Sequence, residues 1–119
     1  MENVSILKSE KDNYISVCFN IDDNLLRIGN EINKINKNAY MNGYNWEVFF
    51  AHYLAKNAPD VMSGMLADPE AGMYAANYKY TSENEVRAEK LLKIIKDFLE
   101  NEEELYRVIR EEGDMIEWD

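Results

Sequence analysis

The chain has 119 residues, and its 23 Asp and Glu against 13 Lys and Arg give a formal charge of −10 and a pI near 4.6. This balance argues against binding to nucleic acid or to an anionic membrane surface, and it favours basic proteins as partners. The lone Cys18 cannot form an internal disulfide, and His52 is the only histidine, so a monomer cannot assemble a structural zinc site.

The first predicted element is a β-hairpin. Residues 4–7 form a short apolar run, residues 11–13 suit a turn, and apolar and polar side chains alternate from Tyr14 to Asn20. Ile15, Val17 and Phe19 therefore face the core. Cys18 falls on the opposite face, where a small, half-buried and inert thiol is expected.

Two helices follow the hairpin. Asp22 or Asp23 can cap the first, which ends within residues 38–43; its apolar positions are Leu25, Ile28, Ile32 and Ile35. The second is the predicted central core helix and stops at residues 57–59 because proline cannot extend it; its stripe is Trp46, Phe49, Phe50, Tyr53 and Leu54. His52 lies off that stripe, so a partly exposed polar role is expected.

A short helical turn is predicted over residues 60–66, followed by a loop at 68–72 and a strand over 73–80. In that strand one face carries Tyr74, Ala76, Tyr78 and Tyr80. These side chains form either an aromatic layer of the core or a binding surface.

Two more helices complete the chain. Residues 82–85 have the pattern of a capping box, with Ser82 as the N-cap and Glu85 reaching back to it. The long helix that starts there buries Ala88, Leu91, Leu92, Ile95, Phe98 and Leu99, and Glu89 and Lys93 are spaced to pair on its exposed side. Asn101 breaks this helix and caps the last one, and Gly113 suits a left-handed C-terminus.

These elements predict an α+β fold in the order β-β-α-α-β-α-α. A small, mostly antiparallel sheet carries helices on one face. No linker, repeat or low-complexity segment divides the chain, so we expect residues 1–119 to form a single domain.

Six of the ten net negative charges lie in residues 101–119. Glu102, Glu103 and Glu104 are explained by the positive end of a helix dipole. The remaining acids surround Trp118 at a helix C-terminus, where negative charge is locally unfavourable. We call this group the C-terminal acidic surface: Glu111, Glu112, Asp114, Glu117, Trp118 and Asp119. It is either a solvated tail whose tryptophan tucks into the domain, or an aromatic anchor ringed by acids where a basic protein docks.

The sequence contains no phosphate loop, nucleophile elbow, Cys/His dyad or dinucleotide-binding motif. We therefore expect no enzyme activity and no cofactor or metal, although spacing alone leaves a small carboxylate-dependent hydrolase open. An acidic adaptor or regulator is the other alternative. The chain has no apolar run long enough to span a membrane and no secretory signal at residues 1–5, so a cytoplasmic protein is expected.

Four segments, residues 42–47, 57–59, 68–74 and 111–119, resemble a family of immunity proteins from bacterial polymorphic toxin systems. The similar group is immunity protein family fifty-one, a small α+β family marked by a tryptophan, and the resemblance covers residues 40–119. It implies a cytoplasmic antidote that binds and neutralises the toxin domain encoded beside it, without catalysis. Trp46 and Trp118 both lie in matched segments, so either is a candidate for the family's tryptophan.

Overall fold

The computed structural model describes residues 4–119. Residues 1–3, which belong to the segment considered above as a secretory signal, lie outside that range. The elements are β1 (Ser5–Ser9), β2 (Tyr14–Asn20), α1 (Asp23–Ile35), α2 (Gly43–Asn57), a 3-10 turn (Pro59–Met62), β3 (Leu66–Ala67), β4 (Met73–Tyr78), α3 (Ser82–Glu100), α4 (Glu102–Glu112) and a second 3-10 turn (Gly113–Met115). The predicted α+β class and the element order are confirmed. Among residues 4–119, no helix has the length and apolar composition that crossing a bilayer requires.

The sheet is antiparallel throughout, in the order β1-β2-β4-β3. The alternation predicted for β2 is confirmed, because Ile15, Val17 and Phe19 are buried and lie opposite Tyr78, Ala76 and Tyr74 of β4. Cys18 lies on the other face, within hydrogen-bonding reach of Ser5 Oγ at 3.6 Å. The helices cover the first face, so the tyrosines of β4 belong to the core rather than to a binding surface.

Aromatic rings from α2 form the centre of that core. Trp46, Phe49 and Phe50 are fully buried, and Trp46 and Phe50 stack with centroids 5.8 Å apart. Phe50 also lies 5.2 Å from Tyr74 of the sheet and 6.3 Å from Phe98 of α3. The predicted role of α2 as the central core helix is confirmed.

The helical turn predicted over residues 60–66 is shorter than expected and is followed by a strand. Only Pro59–Met62 forms a helical turn, of the 3-10 type, and Leu66 and Ala67 then pair with Asn77 and Ala76 at the edge of the sheet. A two-residue strand is too short for a period-two pattern, which is why the sequence does not predict it.

The predicted capping box at Ser82 is wrong by one residue. Thr81 is the N-cap, and its hydroxyl accepts a hydrogen bond of 3.0 Å from the backbone N–H of Asn84. Asn84 is buried, and its side-chain amide donates to the Lys79 carbonyl at 3.0 Å, which fixes the helix start. Glu85 reaches Lys8 of β1 at 3.0 Å instead of the cap.

The predicted Glu89–Lys93 pair is also replaced. Lys8 of β1 lies 2.8 Å from Glu89, while Lys93 pairs with Asp97 at 3.1 Å, one turn farther along α3. The sheet brings Lys8 beside α3, and no pattern within the helix contains that information.

Gly113 does not adopt the predicted left-handed conformation. Its φ is −58°, so the chain continues from α4 into the second 3-10 turn. The glycine instead allows close approach to α1, because a Cβ at this position would lie 3.0 Å from Asn36 Nδ2.

Candidate functional site

The C-terminal acidic surface begins on the last turn of α4, where Glu112 joins α4 to α2. Its Oε1 lies 2.7 Å from His52 Nε2, and its Oε2 accepts a hydrogen bond of 2.7 Å from Lys56. These two contacts, Lys56 first and His52 second, lower the pKa of the Glu112 carboxyl. His52 is half-buried, in agreement with the partly exposed role predicted for it. Through His52 and Lys56, Glu112 links α4 to α2.

The next two acids also have partners within the chain. Glu111 accepts a hydrogen bond of 2.7 Å from Arg107 on the exposed side of α4. Asp114 accepts one of 3.0 Å from Asn36, the residue that follows α1. Both carboxylates remain exposed, so they contribute negative charge to the surface while they hold local structure.

Trp118 folds back against the chain that precedes it. Its indole N–H donates to the Gly113 carbonyl at 3.1 Å, and its half-buried ring packs on the hydrophobic core. Glu117 is exposed and forms no hydrogen bond or ion pair within residues 4–119.

The last residue is held by the start of α2. The backbone N–H of Asp119 donates to Asn45 Oδ1 at 2.6 Å, and the Asn45 side-chain amide donates to the Tyr40 carbonyl at 2.7 Å. Asn45 is only 1% exposed, so one buried amide joins the C-terminal tail to the loop between α1 and α2.

That loop and the start of α2 bring two aromatic side chains to this end of the molecule that the sequence-based site lacks. Tyr40 is 71% exposed and Tyr44 is 41% exposed. The sequence does contain a signal for them. Both tyrosines lie in or next to the polar, asparagine-rich connection between α1 and α2 and outside the apolar stripes of these helices, which indicates exposed aromatic rings.

A further carboxyl lies near the tail. Glu47, in the first turns of α2, is half-buried, and its pKa is raised by burial first and by the charge of Asp119 second. The described residues contain no group of three or more histidine, cysteine or acidic side chains placed to hold a metal ion. The exposed tyrosines and acids at this end of the molecule offer aromatic and charged contacts for another molecule.

The sequence profile of immunity protein 51 matches residues 6–114. Trp46 lies inside the matched range and Trp118 outside it. The match also includes β2, α1 and most of β1, which the resemblance noted from residues 40–119 does not cover. No curated protein and no solved structure is significantly similar to the chain. Since the profile spans nearly the whole sequence, the chain belongs to the immunity protein 51 family.

Proposed function

We propose that this protein is a cytoplasmic immunity protein that binds and neutralises a cognate, basic toxin domain and has no enzymatic activity of its own. The observation that carries the proposal is the match to immunity protein 51 over residues 6–114. The charge of −10 supports a basic partner, because opposite net charge accelerates association.

The surface proposed to meet the toxin is the C-terminal acidic surface together with Tyr40 and Tyr44. Glu117 and the Asp119 side chain have no basic partner within residues 4–119, so their charge is available to a toxin. Tyrosine and tryptophan are the residue types that most often dominate binding energy at protein interfaces. Acids around aromatic anchors therefore combine steering with contact area.

The adaptor alternative predicts binding to a protein unrelated to any toxin. The hydrolase alternative is the one with an observation in its favour. Glu47 and Asp119 are neighbouring carboxyls that differ in exposure, since Glu47 is half-buried and Asp119 exposed, and burial raises the pKa of Glu47. Such asymmetry is what acid–base catalysis uses. The hydrolase alternative predicts that a folded Glu47→Gln variant loses hydrolysis, whereas a protein without catalysis has no hydrolysis for this substitution to remove.

Co-expression tests the proposed function. The toxin domain encoded beside this gene is expressed in a sensitive host with and without this protein, and growth is expected only with it. The purified pair should form a stable complex by calorimetry. Lack of rescue despite folded, abundant protein would reject the proposal, and metal-dependent hydrolysis by the purified protein would favour the hydrolase.

We expect the paired substitution Glu117→Gln and Asp119→Asn to slow toxin association roughly tenfold at low salt, with little change in dissociation. The two carboxylates make no ion pair within residues 4–119, so their loss leaves the fold intact. Stopped-flow measurements across a salt series should show a flatter salt dependence than that of the wild type.

The matched control for this charge variant is Glu10→Gln with Glu83→Gln. Tyr80 N–H donates to Asn13 at 3.2 Å, which places the hairpin turn beside the start of α3, so both control acids lie at the far end of the sheet. The length of β4 separates that end from the tail by about 20 Å. Equal slowing by both variants would indicate a diffuse net-charge effect and remove the C-terminal surface as the steering site.

Trp118→Ala and Tyr40→Ala separate an interface anchor from a core contact. Tyr40 is mostly exposed, so its removal should change the free energy of unfolding by less than about 0.5 kcal/mol and weaken toxin binding by about 2 kcal/mol through faster dissociation. Trp118 packs on the core and bonds to Gly113, so its removal should also lower the melting temperature. Unchanged dissociation rates for both folded variants would exclude these aromatics from the interface.

A further inference from the structure

A groove lies where α3 turns into α4. It encloses about 440 Å³ and is bounded on one side by Tyr53 of α2. We call it the α3–α4 groove; its lining residues are Tyr53, Ile94, Asp97, Phe98, Glu100, Asn101 and Glu104.

The wall of the groove is aromatic and rigid. The Tyr53 ring meets Phe98 edge-on, with centroids 4.8 Å apart and planes at 78°. Tyr53 also stacks on the buried Phe49 at 6.3 Å. These contacts hold the half-buried Tyr53 ring in place, so the groove presents a preformed aromatic surface beside the aliphatic side chain of Ile94.

The rim of the groove is negative. Asp97 and Glu100 lie in the last turn of α3, which contains no basic residue, and Glu104 lies in the first turn of α4. The C-terminal end of a helix carries partial negative charge, so the two acids of α3 add to it rather than offset it.

Asp97 and Glu104 each lie beside a cation of the same chain. Lys93 lies 3.1 Å from Asp97, and Arg107 donates to Glu104 at 3.0 Å. The side chains of both pairs are between 43% and 77% exposed, and ion pairs at such exposure are weak. Arg107 holds Glu104 through two hydrogen bonds and also bonds Glu111, so the Lys93–Asp97 pair is the one that a guanidinium from a partner replaces at little cost.

We propose that the α3–α4 groove binds an arginine side chain of the toxin. The aromatic ring accepts a guanidinium face, the apolar wall takes its aliphatic stem, and the rim carboxylates accept its N–H groups. An arginine fits better than a metal ion, because its aliphatic stem and planar head contact the aliphatic and aromatic walls as well as the carboxylates. The identification of the toxin as the source of the arginine rests on the proposed function. The binding of an arginine side chain by the groove does not depend on it.

The direct test uses a peptide instead of the toxin, so it remains valid if the toxin proposal fails. An acetyl-Gly-Arg-Gly-amide peptide and its citrulline counterpart, which is neutral but nearly isosteric, are titrated into ¹⁵N-labelled protein. The arginine peptide should shift the amides of residues 94–104 with a dissociation constant of about 1–10 mM, and the citrulline peptide should bind at least about tenfold more weakly. Equal binding of both peptides, or shifts spread over all acidic faces, would overturn the proposal.

A charge variant of the groove, Asp97→Asn with Glu104→Gln, completes the test. It should bind the arginine peptide at least about tenfold more weakly while remaining fully folded, by circular dichroism, at the temperature of the titration. The control Glu10→Gln with Glu83→Gln, at the opposite end of α3, should bind the peptide as the wild type does. If the groove variant keeps wild-type affinity for the peptide, the groove is not an arginine site, and this conclusion holds whether or not the protein neutralises the toxin.

Discussion

Replacing Gly43 with alanine is expected to cost more than about 3 kcal/mol of folding free energy and to leave little folded protein. A Cβ at this position would lie 1.8 Å from the Glu70 carbonyl oxygen and 2.1 Å from that of Met73. Both obstacles are backbone atoms, so no rotation of a side chain relieves the overlap. The Gly43 N–H also donates to the Ala71 carbonyl at 2.9 Å, so the start of α2 cannot move away without losing this bond.

Gly72→Ala is the matched control in the same turn. A Cβ there would meet no atom within 4 Å, and Gly72 has no positive φ. We expect this variant to be within about 1 kcal/mol of the wild type, since alanine also reduces the entropy of the unfolded chain. Urea titrations followed by circular dichroism measure both changes. Similar midpoints for the two variants would show that α2 does not sit directly on the turn between β3 and β4.

Truncating the central aromatic residue, Phe50→Ala, is expected to cost about 3–5 kcal/mol. The ring is 1% exposed and contacts aromatic neighbours from α2, the sheet and α3, so no single element can collapse into the vacated space. The loss therefore combines transfer of the ring to water with a residual cavity.

Tyr44→Ala provides a comparison within the same helix. Tyr44 is partly exposed and lies outside the aromatic cluster of the core, so its truncation should cost less than about 1 kcal/mol. If the urea unfolding curves of the two variants have the same slope m, their midpoints give the difference in free energy of unfolding directly. A loss below about 1 kcal/mol for Phe50→Ala would mean that the stripe of α2 does not form the centre of the core.

The acidity of the protein by itself leaves the binding surface undetermined. Many acids that appear available in the sequence are held within the chain, as Glu112 is by Lys56 and His52. Others, such as Glu117, have no partner within residues 4–119. The useful distinction for interface variants is therefore between these two groups, because neutralising a partnered acid changes both stability and binding.

The sequence by itself determined the fold class, the order of the main elements and the family. Alternation in β2 and the aromatic stripe of α2 are periodic patterns, and a periodic pattern reports which face is buried without reference to the rest of the fold. Pro59 ended α2 as predicted because its effect on the backbone is local.

Tertiary structure alone decided the details that depend on distant partners. Thr81 rather than Ser82 caps α3 because the buried Asn84 bonds to the chain before the helix, and Gly113 lies close to the Asn36 side chain after α1 instead of forming a left-handed turn. The junction of the C-terminal tail with the Tyr40 loop depends on Asn45, which is 74 residues from Asp119 in the chain. Hydrogen bonds and close approaches between such distant residues form only once the helices pack on the sheet, so no local pattern encodes them.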